Sequence, residues 1–204
     1  MKKALLSGLA VGVMILGMAG AASATIIFSD NFESDTTGTN KNNFINWEVS
    51  DGTVDLIGTG TSWNYFPAYG KYVDLDGSTN NAGKLTSASF SLDAGDYSLT
   101  FDLAGNQRDN RTEYAYAIVN TGIASQEYSL GRYDIFQKFT QSFSLTSYTS
   151  LSISFAGYGS DNIGMLIDNI QLEKNAAPVP EPATMLLFGT GLAGLAGARL
   201  RRKK

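Results

Sequence analysis

Apolar side chains recur at every second position through the middle of this chain, a period that fits half-buried antiparallel strands and little else. Tyr97, Leu99, Phe101 and Leu103 alternate with Ser98, Thr100 and Asp102. Leu151, Ile153 and Phe155 alternate with serines, and Phe139, Phe143 and Leu145 share one parity. Tyr114, Tyr116 and Ile118 do the same. Turn signals part these runs: Asp51-Gly52, Asp76-Gly77-Ser78, Ala94-Gly95-Asp96, Thr121-Gly122 and Tyr158-Gly159-Ser160. No stretch keeps a helical apolar face for more than a turn or two. The expectation is an all-β domain of roughly nine to eleven short strands, an antiparallel two-sheet sandwich of the jelly-roll kind. A domain of that size closes a core without disulfides.

Two missing letters narrow the chemistry. The 204 residues contain no His and no Cys, which excludes Ser-His-Asp and Cys-His catalysis, Cys/His zinc sites, haem ligation and disulfides. Carboxylate chemistry, a metal held by oxygens, or binding without chemistry remain.

Both ends differ from the middle. Lys2 and Lys3 precede an apolar run to Ala22, closed by Ala22-Ser23-Ala24. A basic start, an apolar middle and an A-x-A end make a secretory signal peptide, residues 1–24, with a helical apolar part. At the other end Val179-Pro180-Glu181-Pro182 precedes an apolar, glycine-bearing stretch, and Arg199, Arg201, Arg202, Lys203 and Lys204 close the chain. Two prolines keep the backbone extended before it. A transmembrane helix is expected over 183–200. Its apolar part would span roughly 24 Å against a hydrocarbon core of about 30 Å, so it needs thinning or snorkelling arginines. The basic tail belongs on the cytoplasmic side. The chain thus divides into 1–24, a sandwich domain over 25–175, and a C-terminal signal over 176–204.

Val179-Pro180-Glu181-Pro182, the glycine-rich apolar stretch, and Arg199 with Arg201 and Arg202 resemble the PEP-CTERM sorting signal of exported bacterial proteins. The resemblance implies that an exosortase, a membrane enzyme of the transpeptidase kind, processes the precursor at Pro-Glu-Pro. Glu181 then serves recognition and not catalysis. It also implies a precursor anchored in the inner membrane, and a mature form at the cell surface or outside the cell. Hosts of this family typically make extracellular polysaccharide.

Of the 15 basic residues 8 lie between Thr25 and Pro178, with 18 of the 19 acidic ones, so the domain carries −10. Such a surface repels phosphate backbones, so no nucleic-acid partner is expected. It suits an extracytoplasmic protein or one that recruits cations.

Asp168 shares its parity with Leu166, Ile170 and Leu172 in the last strand. A buried carboxylate requires donors or a cation. Asp30-Asn31-Phe32-Glu33 near the mature start, Trp47 beyond it, and Ile167-Asp168-Asn169-Ile170 together resemble galactose-binding-like jelly rolls of carbohydrate-binding modules. There a structural Ca²⁺ commonly ties first and last strands, and the resemblance carries that role to Asp30, Glu33 and Asp168. The residues alone leave an equal alternative, in which Asp168 caps backbone N–H groups or meets Arg108 or Arg111. No cofactor is required.

Asp74 and Asp76 share one strand face about 7 Å apart, which fits an inverting glycosidase pair. Their alternation with Val73 and Leu75 reads instead as a solvated face, with no hydrophobic pocket to raise an acid. No catalytic residue is assigned. Trp63, Tyr65, Phe66 and Tyr69 crowd a loop between Gly58 and Gly70. Rings stack on the C–H faces of sugars while polar groups take the hydroxyls. The candidate ligand set is Trp63, Tyr65, Tyr69, Asp74, Asp76, Asn106 and Arg108; the alternative is that the rings only pin the loop.

Three functions follow as expectations. The first is a non-enzymatic surface or matrix protein binding polysaccharide. The others are a carboxylate-based polysaccharide enzyme and a purely structural envelope or biofilm component.

Overall fold

Fourteen strands run through the described part of the chain: β1 (Thr25–Asp30), β2 (Gly38–Lys41), β3 (Trp47–Ser50), β4 (Val54–Gly58), β5 (Lys71–Asp74), β6 (Lys84–Ser87), β7 (Phe90–Leu92), β8 (Gly95–Ala104), β9 (Glu113–Val119), β10 (Ala124–Leu130), β11 (Gln137–Leu145), β12 (Thr149–Leu151), β13 (Ile153–Gly157) and β14 (Leu166–Lys174). The computed structural model describes residues 23–79, 81–108, 112–119, 123–159, 161–177, 188–195 and 199. The excess over the expected number comes from strands of three or four residues such as β2, β7 and β12, too short to show a period.

Seven strands form one sheet in the order β11-β8-β14-β5-β4-β2, with β1 also on β14; five form a second, β10-β9-β13-β6-β3; β12 and β7 pair alone. Every strand ladder is antiparallel. The core lies between the two large sheets. β8 turns Tyr97, Leu99, Phe101 and Leu103 inward, and Phe101 meets Phe155 of β13 at 5.0 Å and Tyr128 of β10 at 5.3 Å, both edge to face. Each such buried side chain contributes about 1.5–3 kcal/mol.

β14 is last in sequence but central in its sheet. β8 pairs along one side of it, while β5 (at Leu166 and Ile167) and β1 (from Ile170 onward) share the other. Between those two neighbours the β8 register slips between Asp168 and Gln171, and Asn169 takes a positive φ of 50°. This β-bulge changes the face. Ile167, Ile170 and Leu172 join the main core, whereas Leu166 joins a second cluster with Tyr72 and Ala104. Asp168 pairs in register with Asp102, which alternates with core Phe101 and Leu103. The parity read from sequence is therefore corrected: Asp168 lies on the outer face of the seven-stranded sheet, not among the core aliphatics.

Ser23–Ala176 is one compact unit. In the remaining unit, residues 188–195 are helical and exposed, as is Arg199. Among the described residues no helix is long and apolar enough to cross a membrane. Half of the transmembrane helix expected over 183–200, and residues 1–22 of the signal peptide, lie outside the described residues.

Candidate functional site

Five aspartates occupy the outer face of the seven-stranded sheet or its continuation: Asp55, Asp74, Asp76, Asp102 and Asp168, all buried. Asp55 pairs in register with Asp74, and Asp102 with Asp168. Beside them, Ile57, Tyr72, Ala104, Phe136 and Leu166 form a second apolar cluster, onto which Tyr65, Phe66 and Tyr69 pack. Tyr69 stacks on Phe136 at 4.3 Å, and Phe66 lies 4.9 Å from the same ring. The aromatic loop thus lies down on the sheet.

Trp63 is the exception, 41% exposed. Its backbone is held from below by the fully buried Tyr72. The Tyr72 hydroxyl accepts the N–H of Tyr65 at 2.6 Å and of Phe66 at 3.2 Å, and donates to the Trp63 carbonyl at 3.3 Å. Thr61 braces the other side, its hydroxyl accepting the Trp63 N–H at 3.2 Å. At the loop's end Gly70 has φ 76°, and a Cβ there would strike Glu33 Oε1.

The structure brings Asp74, Asp76, Asn106 and Arg108 into one network. Arg108 pairs with Asp74 and donates to the Asn162 carbonyl at 2.9 Å, while its N–H donates to Asn106 Oδ1 at 2.7 Å. Asp74 Oδ1 also accepts the N–H groups of Asp76 (3.0 Å) and Gly164 (2.9 Å). Burial pushes the Asp74 carboxyl well above the usual carboxylate range, against the pull of Arg108. Asp76 is pushed up by burial, with the charge of Asp161 adding to it. Its Oδ1 has no partner among the described residues. The expected solvated face of Asp74 and Asp76 is corrected here. Alternation tells which side a residue points to, and Arg108, Gly159 and Gly164 cover that side. Asp74, Asp76 and Asn106 brace loops from within.

Asp168 is 1% exposed; its Oδ1 accepts the Asn169 N–H at 2.7 Å, and its Oδ2 has no partner among the described residues. Burial lifts its carboxyl to about 8, helped by the charges of Asp102, Glu33 and Asp30. That unfilled oxygen suits a cation, but the other nominated ligands are engaged elsewhere. Asp30 accepts from the Phe32 N–H (2.8 Å), Trp47 Nε1 (2.8 Å) and Asn46 Nδ2 (3.1 Å). Glu33 Oε1 accepts the Lys71 N–H at 2.6 Å. Among the described residues no three acidic side chains form a metal-holding group.

A feature invisible in the sequence is a depression of about 500 Å³ lined by side-chain amides, Asn31, Asn46, Asn169 and Gln171. They come from three separate stretches, so no spacing announced them.

The profile of the PEP-CTERM protein-sorting motif matches residues 178–203. The chain ends in a PEP-CTERM sorting signal. It is therefore an exported, cell-surface protein and a substrate for exosortase processing. Of the PEP-CTERM motif residues, Arg199 is helical and exposed, while Val179, Pro180, Glu181, Pro182, Arg201 and Arg202 lie outside the described residues. No curated protein matches the chain. Among solved structures, the K1 cleaved adhesin domain of Lys-gingipain from Porphyromonas gingivalis W83 is similar with a TM-score of 0.52 at 11% identity, over 73% of this chain and 98% of that one. The CBM22-1 xylan-binding domain of Paenibacillus barcinonensis Xyn10C gives a TM-score of 0.49 at 14% identity, over 78% and 100%. The C-terminal CBM6 of LamC, a marine laminarinase from Zobellia galactanivorans, gives 0.44 at 14%, over 72% and 98%. The adhesin likeness supports the β-sandwich fold of the PEP-CTERM protein, and the fold alone.

Proposed function

We propose that the exported protein binds polysaccharide through the Trp63 loop of its jelly-roll sandwich and performs no chemistry on it. One observation carries this: Trp63 is half exposed yet held at its carbonyl and N–H by Tyr72 and Thr61. A ring offered on a pre-formed backbone loses little freedom when a sugar stacks on it. Tyr65, half-buried beside Arg108 and Asp74, extends the apolar surface. The enzyme reading has less support, because Asp74 and Asp76, the pair nominated for it, are buried and Asp74 is tied to Arg108. The packing of Phe66 and Tyr69 on Phe136 favours the third reading, a purely structural component.

Before processing, the 183–200 segment anchors the precursor in the inner membrane with the basic tail in the cytoplasm; the exosortase acts at Pro180-Glu181-Pro182. Affinity electrophoresis through the host's extracellular polysaccharide tests the binding. Wild-type protein is retarded and Trp63→Ala is not; equal migration of both through gels with and without polymer leaves the structural reading.

A further inference from the structure

Four amides line the 500 Å³ depression beside β1 and β14, and each is tethered at one end. Asn46 Nδ2 donates to Asp30 Oδ2 at 3.1 Å, Asn169 Nδ2 to Asp102 Oδ2 at 2.9 Å, and Gln171 Nε2 to Glu173 Oε2 at 3.1 Å. A carboxylate accepts and does not donate, so each of these amides must turn its NH₂ toward the protein. Their carbonyl oxygens have no partner among the described residues. Asn31 is tethered the opposite way, its Oδ1 accepting the Glu33 N–H at 3.4 Å, which leaves its NH₂ end.

Three fixed acceptors beside one fixed amide donor select a ligand that brings hydrogen-bond donors. Carboxylates bring only acceptors and phosphates mostly so, and the domain's charge of −10 repels both. Hydroxyl groups donate and accept, and the volume falls within the ordinary range for small ligands, about 300–1,000 Å³. Ile45, 66% exposed, forms part of the wall and supplies the apolar contact that a ring's C–H face requires. The depression and the aromatic loop also belong to one sheet face. Lys138 at its rim lies 3.6 Å from Asp102, whose charge, with that of Asp168, is felt by Tyr69.

We propose that this depression is a second sugar site, taking a neutral polyhydroxylated unit further along the same polymer chain. It deepens the polysaccharide reading and rests on it for the identity of the ligand. The tethered amides need no ordering on binding, which favours affinity.

The chain has two tryptophans, and this allows a clean test. Trp47 Nε1 donates to Asp30 Oδ2 at 2.8 Å, the same oxygen that holds Asn46. Full-length protein carrying Trp63→Phe keeps Trp47 as the single reporter and lacks the exposed indole of the loop. It is titrated with neutral hexaoses of glucose, xylose, mannose and galactose, and separately with sodium phosphate and calcium chloride. The expected result is a saturable change in Trp47 emission with at least one hexaose and none with phosphate. Gln171→Leu, or Ser34→Phe filling the depression, should weaken it by about tenfold or more. Silence toward every hexaose, a response only to calcium or phosphate, or a sugar response unchanged in both pocket variants overturns the second site. Loss of polymer retardation in Trp63→Ala with Trp47 silent in all titrations leaves the loop reading standing and removes this one.

Discussion

Tyr72 holds Trp63 in place: from a fully buried position in β5, its hydroxyl donates to the Trp63 carbonyl at 3.3 Å while accepting two neighbouring N–H groups. Three backbone groups of one loop therefore converge on a single phenol. Burial raises that phenol above its ordinary range, partly offset by the two N–H groups it accepts.

Tyr72→Phe removes the hydroxyl and leaves those backbone groups short of partners. Unfolding in urea should show a loss of about 1–3 kcal/mol. Limited proteolysis should find new cleavage between residues 59 and 70, and retardation by polysaccharide should weaken although Trp63 itself is intact. Unchanged cleavage would mean the loop is held by its rings alone.

Trp63→Ala touches an exposed side chain away from the core, so its stability cost should stay within about 0.5 kcal/mol. Retardation should vanish nonetheless. A large fall in melting temperature would show that the indole packs and does not present itself.

Arg108→Met leaves Asp74 buried without its cation. Loss of one member of such a pair costs about 3–5 kcal/mol, and the lower end is expected here because the Arg108 side chain is 23% exposed. Adding Asp74→Asn should recover part of the loss. Equal stability of single and double variants would show that the two residues are uncoupled.

Asp168 and Asp76 have raised folded-state pKa values, with Asp168 at about 8. The folded state then holds protons that the unfolded chain releases at about pH 4, so stability is fullest in acid. In chelator, the melting temperature should fall as pH rises from about 4 to 8, and Asp168→Asn should flatten part of that slope. A melting temperature that rises over this window contradicts the protonated carboxyl. A bound Ca²⁺ would instead keep Asp168 ionised, and chelation would lower the melting temperature by several degrees. A melting temperature indifferent to both chelator and calcium would show that Asp168 is satisfied by protein donors alone.

Replacing Pro180-Glu181-Pro182 by alanines should leave a membrane-bound precursor of unreduced size in the native host. Normal release of a shortened product would place the processing signal elsewhere.

The strands with strict alternation over five or more residues, β8 and β11 above all, were legible because both flanks of each residue had opposite chemistry. β14 was legible as a strand but not in its facing, since one bulge at Asn169 reverses every parity argument beyond it. The loop around Trp63 could be recognised from composition. That Tyr69 would lie on Phe136, 67 residues away in sequence, could not, because no local pattern encodes a contact of that separation. Asp74 and Asp76 failed for a related reason: their strand announces a side, and other loops decide whether water reaches it. The amide-lined depression had no sequence signature at all.

The central place of β14 has a consequence for how the protein leaves the cytoplasm. Among the described residues its neighbours β8, β5 and β1 form ladders with this last strand and none with one another. While residues 166–174 are still threaded in the export channel, the larger sheet exists only as fragments with open edges, and such fragments gain little from pairing alone. Closure of the larger sheet therefore waits until this final segment has emerged on the far side.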